Sequence, residues 1–181
     1  MVREAILNAA PTHAHLFEFE SDFVRTLRCI PMAVRFKLDR TGIKLTLKQW
    51  SRFTQEDRRE LLHMPCEGRA AVRAYRQRLV ELVRRRTAED ARELSEPLDE
   101  SWRDPIPPAQ VLDFAQSRGV HTPSEVEWQR LNELQRFTLV KLSRDNHDNV
   151  NFAPALFEFG LGDVSKAAPR HQPAGRPRRR V

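Results

Sequence analysis

Apolar positions along this chain recur mostly with helical spacing, and capping residues punctuate them. "SDFVRTLRC" places Ser21 to cap a short helix with Phe23, Val24 and Leu27 on one face. "PMAVRFKLDR" follows, opened by Pro31 in a first-turn position and closed by Gly42. The same residues also fit a β-hairpin over 32–47, because Met32, Val34, Phe36 and Leu38 alternate, as do Ile43, Leu45 and Leu47 after "DRTG". The proline and the helical pattern of every later segment favour the helix. Thr46 can cap a helix holding Trp50 and Phe53. Thr54 with Asp57 can start another, which Pro65 stops.

"EGRAAVRAYRQRLVELVRRR" carries the clearest stripe of the first half: Val72, Tyr75, Leu79, Leu82 and Val83. Residues 87–107 are acidic and broken by prolines, and read as a loop between two halves. "PAQVLDFAQSRG" is a short helix ended by Gly119. "TPSEVEWQRLNELQRFTLVKLSR" reads as one long helix with Thr122 as N-cap, Pro123 at N1 and Glu125 at N3. Trp128, Leu131, Leu134, Leu139 and Leu142 form its face, and Phe137 and Val140 lie off it, so both sides should be buried. "RDNHDNVN" is a polar loop before a last short helix, "FAPALFEFG". The fold class expected is all-α, a single-domain bundle of short helices over 17–162. A loosely ordered arm (1–16) precedes it and a disordered Pro/Arg tail (163–181) follows. "FEFE" (17–20) and "FEFG" (157–160) echo each other without making a repeat.

Charge changes the picture at one end only. The chain has 31 basic and 25 acidic residues, a net charge of +6. Six of the basic ones (Lys166, Arg170, Arg176, Arg178, Arg179, Arg180) fall after Val164, where there is no acid, so the body balances at 25 to 25. A neutral body argues against nucleic acid as a partner, apart from weak contact by the tail. No apolar run approaches the roughly 18 residues of a membrane span, and two distant cysteines make no disulfide framework. The expected setting is the reducing cytoplasm, with no membrane partner.

Three groups could carry chemistry. Cys29, Met32, His63, Met64 and Cys66 form a soft-ligand set suited to Cu(I) or Zn(II), or to thiol chemistry. Core packing explains the same residues, and there is no C-x-x-C pair. His147, among Asp145, Asp148, Asn149 and Asn151, could line a polar pocket or cap the last helix. Arg69, Arg73, Arg76 and Arg84 to Arg86 could seat phosphates or form a solvated face. GxGxxG, GxxxxGK[ST], HExxH and GxSxG are all missing from the sequence. No catalytic residue and no cofactor is assigned.

Arg28-Cys29-Ile30-Pro31, Val34-Arg35, Lys37-Leu38-Asp39, Gly42-Ile43-Lys44-Leu45, Trp50 and Pro65-Cys66, with "NHDNVNFAPALFEFGL" near the end, resemble the conserved nitrate reductase-associated protein family. The resemblance spans roughly residues 17–161. It implies a small soluble protein, a non-catalytic accessory to a cytoplasmic molybdenum-dependent assimilatory nitrate reductase. Its partners would be the reductase catalytic subunit or the machinery that delivers the molybdenum cofactor. The resemblance supplies no active site. It points to a candidate contact surface of Arg28, Cys29, Pro31, Arg35, Lys37, Asp39, Lys44, Trp50 and Cys66, with His147 and Asn149. Metal or sulfur handling by Cys29, His63 and Cys66 stays open as an alternative, and so does weak nucleic-acid binding by the tail.

Overall fold

Proline and glycine bracket the first helix. In the computed structural model, which describes residues 16–21, 26–95, 99–144 and 150–162, α1 (Met32–Thr41) starts after Pro31 as N-cap and ends at Gly42, whose φ of 66° is one that a side chain resists. The expected helix at 21–29, the polar loop around His147 and both terminal segments fall wholly or partly outside the described residues. The hairpin alternative does not form. Arg35 N already donates to Pro31 O at 2.9 Å, which starts a helix. The one strand within 32–47 is β1 (Ile43–Lys44), which pairs antiparallel with β2 (Arg92–Glu93), Ile43 opposite Glu93 and Lys44 opposite Arg92.

The remaining described helices are α2 (Leu47–Arg52), α3 (Gln55–His63), α4 (Gly68–Thr87), α5 (Ala109–Ser117), α6 (Glu125–Arg130), α7 (Glu133–Leu142) and α8 (Phe152–Glu158). The described residues are all-α apart from the two-residue strand pair. The long helix expected over 122–144 is two. Its first cap is Ser124, which accepts from Glu127 N, and not Thr122. At Leu131 the backbone swings to an extended ψ of 143°, and Asn132 caps α7 by accepting from Gln135 N. Two capping boxes eight residues apart satisfy both new termini, so the break leaves few orphan amides.

That break has a counterpart in the first half. Thr46 boxes with Gln49, Thr54 boxes with Asp57, and Phe53 between them has φ −71° and ψ 144°. Thr46, Gln49, Trp50, Arg52, Phe53, Thr54, Asp57 and Arg58 stand 78 residues before Ser124, Glu127, Trp128, Arg130, Leu131, Asn132, Gln135 and Arg136. The side-chain contacts repeat as well. Arg58 Nε donates to Trp50 O (3.1 Å) and Arg136 Nε to Trp128 O (2.9 Å). Each guanidinium lies over the tryptophan ring, at 5.7 and 5.9 Å. Each indole N–H ties back to an upstream carbonyl, Leu27 O at 2.8 Å and Asp104 O at 3.0 Å. Upstream, Pro31 and Pro108 cap α1 and α5, and Gly42 and Gly119 follow with positive φ. A repeat therefore exists, and it lies in the capping pattern, not in the FEFE echo. That echo does have a structural role. Glu158 accepts from Glu18 N (2.9 Å) and Phe19 N (3.0 Å), and Phe17 meets Phe159 at 5.0 Å, joining the two ends of the described chain.

α1 and α7 occupy the centre. α1 packs on α3, α4 and α7, and α7 packs on α1, α5, α8 and a 3₁₀ turn at Ser101–Arg103. Phe36 sits 5.0 Å from Phe137 and 5.2 Å from Trp102, so the acidic segment read as a linking loop contributes a core side chain. Each large side chain buried in this way stabilises by about 1.5–3 kcal/mol. Phe137 and Val140 are fully enclosed beside Leu134 and Leu139, so α7 is buried on two sides as its sequence suggests. On α4 the buried stripe is Tyr75, Leu79, Leu82 and Val83, and Val72 is half-buried at its edge.

Candidate functional site

α1 carries most of the candidate residues, and its helical period deals them to opposite fates. Lys37 lies on the inward face and is buried. Its ammonium donates to Leu62 O (2.6 Å), Met64 O (2.9 Å) and Leu61 O (3.4 Å). These carbonyls close the C-terminus of α3, where a helix runs out of its own donors. Burial pushes the Lys37 ammonium down to about 8, against the attraction of the Glu67 carboxylate. Tyr75 adds a second donor to Leu61 O at 3.2 Å. Cys66 is also buried, with its sulfur 4.0 Å from Lys37 O. Burial pushes its thiol up to about 11, so the group is a protonated core thiol at neutral pH and a poor thiolate ligand or nucleophile.

One turn further, Arg40 Nη1 donates to Cys66 O at 3.1 Å, Nη2 pairs with Glu133 of α7, and the guanidinium covers the Phe36 ring at 4.4 Å. Asp39 pairs with Lys141 of α7 at 2.6 Å. Depressions on either side of Arg40 are lined by Glu67, Gly68, Asn132 and Glu133, and by Asp99, Glu100, Trp102 and Arg103. Arg40 pairs with Glu133, Glu100 with Arg103 and Asp99 with Arg144. The Arg40–Glu133 and Asp39–Lys141 pairs clamp α1 to α7, while the buried Arg40 Nε has no hydrogen-bond partner among the described residues.

The proposed contact residues separate by burial. Pro31, Lys37, Trp50 and Cys66 belong to the core and Asp39 is half-buried in its ion pair, so their side chains are not a surface. Arg28, Arg35 and Lys44 are exposed, and Cys29 is a half-buried free thiol. Arg35 spends its Nε on Ile30 O at 3.1 Å. His147 and Asn149 lie outside the described residues. His63 is exposed, whereas Met32 and Met64 pack against the core. Among the described residues no group of three or more His, Cys, Asp or Glu side chains is close enough to hold a metal ion. No helix there is long and apolar enough to cross a membrane.

The arginine face of α4 also divides. Arg69 and Arg73 are exposed. Arg76 donates to Thr41 O (2.7 Å) and pairs with Glu93, Arg84 pairs with Asp90, and Arg86 grips Asp57 through both carboxylate oxygens at 2.7 and 3.0 Å. Burial raises the Asp57 pKa, but the Arg86 hydrogen bonds and those of Thr54 prevail and hold it down at about 2. A folded value below the ordinary 3.8 means that Asp57 contributes stability above about pH 4 and loses it as pH falls through about 2. Asp57→Asn should therefore cost about 1–2 kcal/mol at pH 7 and shrink the loss of stability between pH 4 and 2. Urea midpoints measured across that range check this, and an unchanged acid limb would count against the role of Asp57.

The sequence reading passed over Lys48 and Arg52, exposed one turn apart on α2, and Arg92, exposed opposite Lys44. With Arg86 and Glu89, Lys48 and Arg52 line a third depression. The Thr46 cap made the spacing of Lys48 and Arg52 legible, but nothing local placed Arg92 or Arg86 beside them.

No curated protein and no solved structure matches the chain. Residues 16–159, a span that takes in every described helix, match the family model of the conserved nitrate reductase-associated protein, and the chain belongs to that family.

Proposed function

We propose that this protein is a non-catalytic accessory factor for a molybdenum-dependent nitrate reductase, acting in the cytoplasm by contact with the reductase or with the machinery that loads its cofactor. The observation that carries this reading is membership of the nitrate reductase-associated family over residues 16–159. The use of the chain's reactive side chains supports it: Lys37, Cys66 and Asp57 hold backbone or ion pairs in the interior. Exposed side chains of the Arg28–Lys44 segment, Arg28, Arg35 and Lys44, are the part of the family motif open to a partner.

Deleting the gene in nitrate-grown cells is expected to depress nitrate reductase activity while the reductase polypeptide remains at normal abundance. Restoring the full chain should restore activity. Full activity in the deletion strain would reject the reading.

A further inference from the structure

The β1–β2 pair places Lys44 directly opposite Arg92, both exposed. Like charges facing across a strand pair are destabilising. α2 follows β1 directly and adds Lys48 and Arg52, four residues apart and so on one face. Arg86 completes the wall of the depression that Lys48 and Arg52 line. Lys44, Lys48, Arg52 and Arg92 have no acidic partner among the described residues. Of the acids nearby, Asp57 is held by Arg86 and Glu93 by Arg76, whereas Glu89 accepts from the neutral Gln49 Nε2 at 2.8 Å and keeps its charge, one carboxylate against four unpaired cations. The face thus keeps positive potential that the fold does not neutralise.

The internal repeat makes clear that the local structure does not require Lys48, whereas Arg52 recurs as Arg130. At the positions of Leu47, Lys48, Ser51 and Arg52, the second copy carries Glu125, Val126, Gln129 and Arg130, with the same cap, tryptophan and arginine bracket. One scaffold is basic in its first copy and electrically mixed in its second. We propose that the face formed by Lys44, Lys48, Arg52 and Arg92 docks an acidic protein surface, and, resting on the association proposed above, that this surface belongs to the reductase. Leu47, 55% exposed at the start of α2, gives the face an apolar contact of the kind protein interfaces bury. Among the described residues no aromatic side chain on α2 or β2 is exposed to stack on a base, as single-stranded nucleic acid would require.

The test uses the full chain and the purified reductase catalytic subunit, with binding kinetics recorded at low and high salt. The wild-type chain should bind with a salt-sensitive association rate. K48E/R52E should lose about tenfold or more in affinity, mainly through association, while keeping the wild-type melting temperature. R69E/R73E, which reverses two exposed arginines elsewhere on α4, should bind as wild type does. Wild-type affinity in K48E/R52E would overturn this docking face and leave the association intact. Failure of the wild-type chain to bind the reductase at all would overturn the assignment of this face to the reductase and leave the cofactor-loading machinery as the partner in the reading above, which the gene deletion tests. Binding to a single-stranded RNA or duplex DNA probe that disappears in K48E/R52E, without reductase binding, would overturn the assignment to a protein partner.

Discussion

Trp50→Ala is expected to lower the unfolding free energy by about 3–5 kcal/mol, a large share of the roughly 5–15 kcal/mol that holds a domain of this kind together. The ring is fully buried. Its indole N–H anchors Leu27 O, and it lies under the Arg58 guanidinium beside Phe53. Removing it opens a cavity at the junction of α2 and α3 and loosens the 26–28 segment, which leads into α1. Trp128→Ala should cost a comparable amount, because Arg136, Leu131 and Asp104 O repeat the same enclosure around it. Trp50→Phe should cost only about 1–2 kcal/mol, since Arg58 Nη1 still donates to Leu27 O at 3.0 Å. Urea unfolding checks all three. A loss under about 1 kcal/mol in either alanine variant would reject the view that these tryptophans are structural centres of the two copies.

Lys37→Met is expected to cost about 2–4 kcal/mol at pH 9 and less at pH 7. Methionine keeps the stem and removes the donor, leaving Leu62 O and Met64 O at the end of α3 without their ammonium. The sign of the pH effect follows from burial. The folded pKa of about 8 lies below the ordinary 10.5, so the penalty for burying the charge is felt in full below pH 8 and relieved between about 8 and 10.5. Wild-type stability should therefore gain on the variant as pH rises through that window. The measurement is the difference in urea midpoint between the two proteins across the range. A difference that is flat or falls with pH would mean that the amine is not held in a desolvated site. Because Lys37 is a motif residue, this result also separates stability from partner contact: a Lys37→Met chain that still folds should keep its affinity for the reductase.

Most of the helices were legible locally. Pro31 and Gly42 bracket α1, Thr46 and Thr54 announce α2 and α3, and the Tyr75 to Val83 stripe marks α4, because caps and periodicity act within a few residues. The break at Leu131 was equally local, in Ser124-x-x-Glu127 and Asn132-x-x-Gln135. It was missed because Thr122-Pro123 offered a competing cap and the apolar face ran on through the interruption.

By itself, then, the sequence determined an all-α chain, the family to which it belongs, and the ends of most helices, since each of these rests on residues close together along the backbone. Only the tertiary structure decided which motif residues face inward. Lys37, Trp50 and Cys66 are enclosed because α3, α4 and the 26–28 segment close over them, and no local pattern encodes that closure. Tertiary structure likewise brought Arg92 opposite Lys44 and Arg86 beside Lys48. Pairings between distant segments follow from how whole elements pack, and they turned a run of scattered arginines into one basic face.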